Sequence, residues 1–510
     1  MGASCQRYTL LFSICCVPAI ISFNSRYNQV IIFYQEIVMS NHVNELLALV
    51  ENSVSVEGGT VKVLDANKFR KNVGKLVERS ALASDLSAGW SRYIIRCAAL
   101  DLGVIPASIH DLYMARGREE VPMTFTTPAF NLRALSYHAA RAMFRSALKI
   151  NGGAFIFELA RSEMSYSAQR PSEYVTNILA AAIAEGFVGP VFVQGDHFQV
   201  SAKKYQADAQ AELSAVRDLI LEAIAAGFYN IDVDTSTLVD IHLPTVEEQQ
   251  ALNSKLSAEL SKFIRNNEPA DVTISIGGEI GEVGTTNSNE FELRAYMNGF
   301  NAQLKEIAPD KAGLSKISVL TGTSHGGTVL ADGSLADVTI AFDVLRDLSR
   351  IGRKEYGMGG TVQHGASTVP EENFNKFVQN EAIEVHLATN FTTMFFDNVP
   401  ADFKQEMYAW LDANFAGERK PGMTDEQFYY KTRKNAIGPF KAQSYALPED
   451  AKTKLINAWE AQFDKLFNLL GVKDTKQYTD TYIKPVKVTP KFGDYVKGDV
   501  ASEDVSDLAD

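Results

Sequence analysis

Cysteine is scarce in this 510-residue chain: Cys5, Cys15, Cys16 and Cys97 are the only four, and three fall in the first 16 positions. No CxxC pair occurs. That argues against a disulfide framework and a thiolate metal site, and for a reducing compartment, the cytoplasm. Basic runs with interleaved aromatics are missing as well, and the net charge of −13 gives no electrostatic footprint for nucleic acid. An acidic balance does not exclude a small anionic substrate, because backbone N–H groups and helix N-termini can hold one. A membrane span is not expected either. Residues 9–23 are apolar but fall short of the roughly 20 residues that cross a bilayer. A leader would need a basic start and an A-x-A-like cleavage site, and Arg7 is the only early charge.

What is present is ordinary for a globular protein: 46% hydrophobic and 22% charged residues. Met39 is followed by the capping residues Ser40 and Asn41, then by Val43, Leu46, Leu47 and Val50 at helical spacing. Met39 is therefore read as the functional start, and residues 1–38 as an upstream extension, with a weak export signal as the alternative. Residues 39–120 are expected to be a helical segment. Residues 401–510 are expected to be a helical extension, with helices over 402–415 and 449–470 and an acidic, solvated tail.

Between them, residues 121–400 repeat a rhythm of short apolar run, polar loop and helix. Eight runs occur: 125–130, 153–159, 191–197, 230–236, 272–280, 316–325, 361–366 and 382–390. Near-continuous apolar strands separated by helices indicate a parallel sheet. Eight of them predict a closed (β/α)8 TIM barrel with added helical segments at both ends, a fold that about 250 residues can build.

The chain has eight histidines, and four of them fall at the ends of predicted strands: His197, His325, His364 and His386. The C-terminal strand ends form the active face of such a barrel, so distant runs would deliver these imidazoles to one place. One histidine alone is more often a hydrogen-bonded structural residue, and His42, His110, His138 and His242 are read that way. Three imidazoles with an open position form a catalytic zinc site. His325 and His364 are followed by Gly326 and Gly365, and Ser367 follows closely; such loops make anion nests. Asp196 precedes His197, Glu279 is the last residue but one of the fifth run, and Asp234 stands where it could orient a ligand histidine. His386 is left open as a fourth ligand, an outer hydrogen-bond donor or a substrate contact.

The motifs Pro128-Ala129-Phe130-Asn131, Asp196-His197, Ile231-Asp232-Val233-Asp234-Thr235-Ser236, the stretch 277–284 (GGEIGEVG), Gly322-Thr323-Ser324-His325-Gly326, His364-Gly365-Ala366-Ser367 and Ala388-Thr389-Asn390 occur in this order. In that order they resemble the class II, zinc-dependent fructose-bisphosphate and tagatose-bisphosphate aldolases over a little more than half the chain. The resemblance implies one catalytic divalent metal, Zn2+ in type, on His197, His325 and His364, with Glu279 as an outer or alternative metal position. It implies that Asp196 handles the C4 hydroxyl proton, and that Gly326, Gly365, Ser367 and Thr389 contact phosphate. It implies glycolytic cleavage of fructose 1,6-bisphosphate to dihydroxyacetone phosphate and glyceraldehyde 3-phosphate by a homodimer or larger homo-oligomer. The alternatives are another sugar, such as tagatose 1,6-bisphosphate, or a non-catalytic metal- and phosphate-binding barrel. The chain departs from the family in four places. The Gly-Gly-x-Glu-Asp loop is replaced by 285–290 (TTNSNE), in which Glu290 is the candidate proton carrier, with Glu282 a second. Val329 stands where a phosphate-binding lysine is usual, His386 where an asparagine is, and Ala160 where a serine is. A Schiff-base mechanism would need a lysine inside the barrel. Lys316, at the wrong end of its run, is the only one the eight runs contain.

Overall fold

A computed structural model describes residues 41–281, 287–322, 330, 340–366, 369–495 and 508. Eight parallel strands form the centre: β4 (Thr127–Asn131), β5 (Ile156–Ala160), β6 (Gly189–Gln199), β7 (Asn230–Asp234), β8 (Ser275–Glu279), β9 (Lys316–Ser318), β10 (Thr361–Gln363) and β11 (Glu384–Leu387). Each pairs with the next, and β11 pairs back onto β4, which closes the barrel. The expected (β/α)8 barrel is thus the observed fold, and every predicted run overlaps its strand. The run 316–325 yields only three residues of strand, and residues 319–322 beyond it are loop.

The N-terminal segment departs from the expectation of helices alone. A helix over 41–49 leads into a hairpin of β1 (Val54–Glu57) and β2 (Thr60–Val63). Helices Ala66–Leu82 and Leu86–Asp101 come next, and then β3 (Val104–Ala107). β3 pairs with Gly189–Phe192, the lower part of β6, on the edge whose upper part carries β7. The Asn230 side chain splices the two, accepting from Ile109 N at 2.9 Å and donating to Ala107 O at 3.2 Å. Four-residue strands carry too little alternation to stand out from the helical pattern around them.

Helix His110–Gly117 lies across the N-terminal end of the barrel. Buried Arg116 donates from this helix to the carbonyls of Phe125 and Ala382, just ahead of β4 and β11. After β6 come two helices, Ala202–Ala207 and Ala209–Ala226, separate because Asp208 leaves helical geometry and caps the second by accepting from Ala211 N. Helix Glu449–Leu469 buries Leu455, Trp459, Phe463 and Leu466 on one face. Phe463 stacks on Phe391 and edges onto Phe130, tying the C-terminal extension to the barrel wall. One apolar cluster runs from Val43 through the barrel to Tyr495. No helix among the described residues is long and apolar enough to cross a membrane.

Candidate metal centre and active face

Asp196 and His197 are neighbours on β6, and along a regular strand their side chains would point to opposite faces. The register against β7 slips between Gly195 and Phe198, and His197 adopts φ 41°. This bulge brings both side chains to one cluster. A left-handed non-glycine residue costs about 1–3 kcal/mol, and such strain concentrates where function over-determines it. Gly195 is part of the device: a Cβ there would sit 2.4 Å from the Phe198 ring.

Strands β6 to β11 supply the cluster. His197 Nδ1 lies 3.0 Å from Asp234 Oδ2 and 3.1 Å from Glu279 Oε2. His364, directly after β10, places Nδ1 3.7 Å from Glu279 Oε1 and Nε2 3.7 Å from Asp196 Oδ1. Ser318 on β9 holds His364 Nδ1 at 3.0 Å. The His197 and His364 rings are 4.2 Å apart, and His386 follows at 4.1 Å from His364. Asp234 is itself fixed, accepting from Gln199 Nε2 at 2.6 Å and from the amide and hydroxyl of Ser236 at 2.9 and 2.6 Å.

Electrostatics couple these groups. Burial works against a charge on His197, but Asp196, Glu279 and the Asp234 bond outweigh it and hold its pKa well above the ordinary value. Burial would raise Glu279, yet His197 and His364 hold it well below the usual carboxylate range. His364 is pushed down to about 3 by burial and then by the charges of His386 and His197. Asp196 resists burial through His197 and His386 and stays well below its ordinary value.

The donor set suits a divalent metal. His197, Glu279 and His364 each offer one ligand atom within 4.8 Å of the others, nitrogen and oxygen donors of the kind zinc takes. Further groups of this type extend down the barrel: Asp196, Asp232, His364 and His386, and then Glu158, Glu384 and His386. His325, Gly326 and Ser367 lie outside the described residues, as do Glu282, Val329 and Met39. Gly365 follows His364 with φ 68°, and Thr389 opens helix Thr389–Asn398 directly beyond β11. Glu290 is not brought to the cluster. It begins helix Glu290–Ile307, half exposed, with Oε2 2.7 Å from Arg294 Nη1.

Sequence reasoning missed several neighbours. Asn131 donates from Nδ2 to Asp196 Oδ2 at 2.9 Å and to Glu163 Oε2 at 2.8 Å; its place in the PAFN motif was the available signal. Arg133, two residues beyond β4, pairs with buried Glu163 at 2.6 Å. Lys434, from the C-terminal extension, sits 5.4 Å above the Tyr166 ring; burial, and then the nearby Arg133, push it down to about 8. Arg433 beside it bonds Thr393 Oγ1 at 2.6 Å. A basic group from the extension thus meets the barrel mouth, and only the short run 431–434 (KTRK) hinted at it.

A parallel barrel with imidazoles and carboxylates gathered at its strand ends defines a protein of the TIM-barrel class whose buried cluster could hold a metal ion. The family model for class II fructose-bisphosphate aldolase matches residues 123–445. The chain belongs to that family, whose members are generally metal-dependent, and by that membership it is a carbon–carbon lyase. Among solved structures it is similar to fructose-bisphosphate aldolase from Campylobacter jejuni, with 17% identity, TM-score 0.41, and coverage of 72% of this chain and 93% of that one. It is also similar to the fructuronate-tagaturonate epimerase UxaE from Cohnella laeviribosi, with 11% identity, TM-score 0.50, and coverage of 83% and 90%. At such identities the second likeness speaks for the fold alone. No curated protein matches.

Proposed function

We propose that the chain cleaves and forms a ketose 1,6-bisphosphate, fructose 1,6-bisphosphate being the leading substrate, with one zinc-type ion on His197, His325 and His364 and Glu279 as a further donor. The observation that carries this reading is the convergence of His197, His364 and Glu279 beside Asp196 at the strand ends. Bound there, the metal would supply Lewis acidity to the substrate ketone. The rest falls to side chains. Asp196, kept ionised, takes the C4 hydroxyl proton as the C3–C4 bond breaks. C4 leaves as an aldehyde and the bonding pair stays on C3; C3 then takes a proton from water to give dihydroxyacetone phosphate, and Asp196 returns its proton to solvent. Asn131 and His386 bond the two oxygens of Asp196 and so fix its plane. Asp234 sets the tautomer of His197 by accepting its Nδ1–H. Gly326, Gly365, Ser367 and Thr389 are assigned to one phosphate, with the N-terminus of the helix after β11 favouring negative charge. The basic group of Arg133, Arg433 and Lys434 favours a second anionic end on the substrate.

Two substitutions, Val329 for the usual lysine and His386 for the usual asparagine, favour tagatose 1,6-bisphosphate as the second reading. A coupled assay of triose-phosphate release from each sugar, with added zinc and after chelation, decides. Chelator-sensitive cleavage of one of them is expected. Absence of cleavage by metal-loaded protein would move the assignment to a binding role.

A further inference from the structure

Barrels of this architecture fill their interior with branched apolar side chains. Here Glu158, Gln194, Asp232, Lys316, Glu384 and His386 occupy it, none more than 8% exposed. Such a core is not explained by stability, since buried ion pairs are often no better than apolar residues of equal volume. Its centre is Lys316. Although this residue begins β9, at the end of the strand away from the active face, its ammonium lies in the barrel. Nζ donates to Gln194 Oε1 at 2.7 Å, to Asp232 at 3.0 Å and to Glu384, residues on three other strands. The space is cleared by β8: a Cβ on Gly277 would lie 2.2 Å from Asp232 Oδ1 and 2.9 Å from Lys316 Cε. Burial pulls the lysine pKa down, but Asp232 and Glu384 outweigh it and raise it above its ordinary value. A lysine held charged in this way is no carbonyl nucleophile, which needs a neutral amine.

The contacts continue upward as a chain. Tyr113, on the helix that lies across the barrel's N-terminal end, donates to Glu384 Oε2. Glu384 Oε1 accepts from His386 Nε2 at 2.6 Å, and His386 Nδ1 donates to Asp196 Oδ1 at 3.2 Å. We infer that Lys316 is a positioning residue: it pins Glu384, which orients His386, which fixes the carboxylate that takes the C4 hydroxyl proton. This inference rests on the aldolase reading above. The imidazole carries its two nitrogens on separate edges of the ring, so His386 reaches Glu384 below and Asp196 above and forms one device with the buried lysine.

The test is Lys316→Met in the full-length, metal-loaded protein. Loss of an oriented acid–base group predicts kcat about 10- to 100-fold lower. KM is expected to stay within twofold and the metal content per chain to be unchanged. In histidine-selective 15N NMR, the downfield Nε2–H signal of His386, assigned by its absence in His386→Asn, should be lost or shifted. Should the single variant fail to fold, Lys316→Met with Glu384→Gln removes the pair together. The amide oxygen can still accept from His386, so this double variant should retain the His386 signal and recover part of kcat. An unchanged kcat and an unchanged His386 signal in Lys316→Met would overturn the inference, as would parallel losses of kcat and bound metal. If wild-type protein cleaves no ketose bisphosphate, the aldolase reading fails by itself, and the NMR signal alone decides whether Lys316 orients His386.

Discussion

Replacing Asp234 by Asn perturbs the centre without removing a proposed ligand. Asp234 Oδ2 stands 3.0 Å from His197 Nδ1, and its other oxygen is held by the amide and hydroxyl of Ser236. The side chain therefore stays in place, but its negative charge is lost. The carboxylate makes Nδ1 the protonated nitrogen and raises the basicity of the other one; an amide does this weakly or presents its NH2 instead. Outer partners of this type are worth about 10- to 100-fold in metal affinity, or roughly 1.4–2.7 kcal/mol. Competition against a chromogenic chelator measures the affinity directly, and triose-phosphate release at saturating zinc measures what remains of turnover. The expected result is weaker binding with most activity restored by excess metal. Affinity within twofold of wild type would refute the argument that Asp234 orients a ligand.

Glu290→Gln should leave kcat within about twofold, because Glu290 is half exposed and paired with Arg294; a loss beyond 100-fold would show that this pair opens during turnover. His110 supplies a stability prediction. Burial, and then the charge of Arg265, push its pKa from 6.5 to about 4. Between those values the unfolded chain binds a proton that the folded chain does not, so stability rises with pH there. It should be complete above pH ~6.5 and fall by about 3 kcal/mol toward pH 4, and His110→Gln should flatten that part of the urea-midpoint profile. An identical slope in the variant would contradict the assignment.

The barrel was legible because each of its strands is an apolar run between helical stretches, and because register in a parallel sheet follows from those runs. The site was legible where chemistry coincided with a strand end. His364 directly follows β10, Glu279 closes β8, and His197 falls two residues short of the end of β6. Asp234 was legible for the same reason and sits where a ligand-orienting acid would. What the sequence hid depends on tertiary reach. Lys316 reads correctly as the start of β9, but no periodicity reveals that its four-carbon stem carries the ammonium to Asp232 and Glu384. Lys434 and Arg133 are about 300 positions apart and meet only because the C-terminal extension folds onto the barrel mouth. The slip in β6 was equally invisible: Asp196-His197 reads as a strand ending, whereas the strand continues to Gln199 through a bulge. β1, β2 and β3 were lost because four-residue strands leave no period to detect.

The central claim is that a divalent metal sits among His197, His364 and Glu279. Anomalous diffraction at the zinc edge from crystals of zinc-loaded protein tests it most directly. The account predicts one strong peak within bonding distance of His197 and His364, absent in His197→Ala. A peak elsewhere in fully active protein, or none, would contradict it.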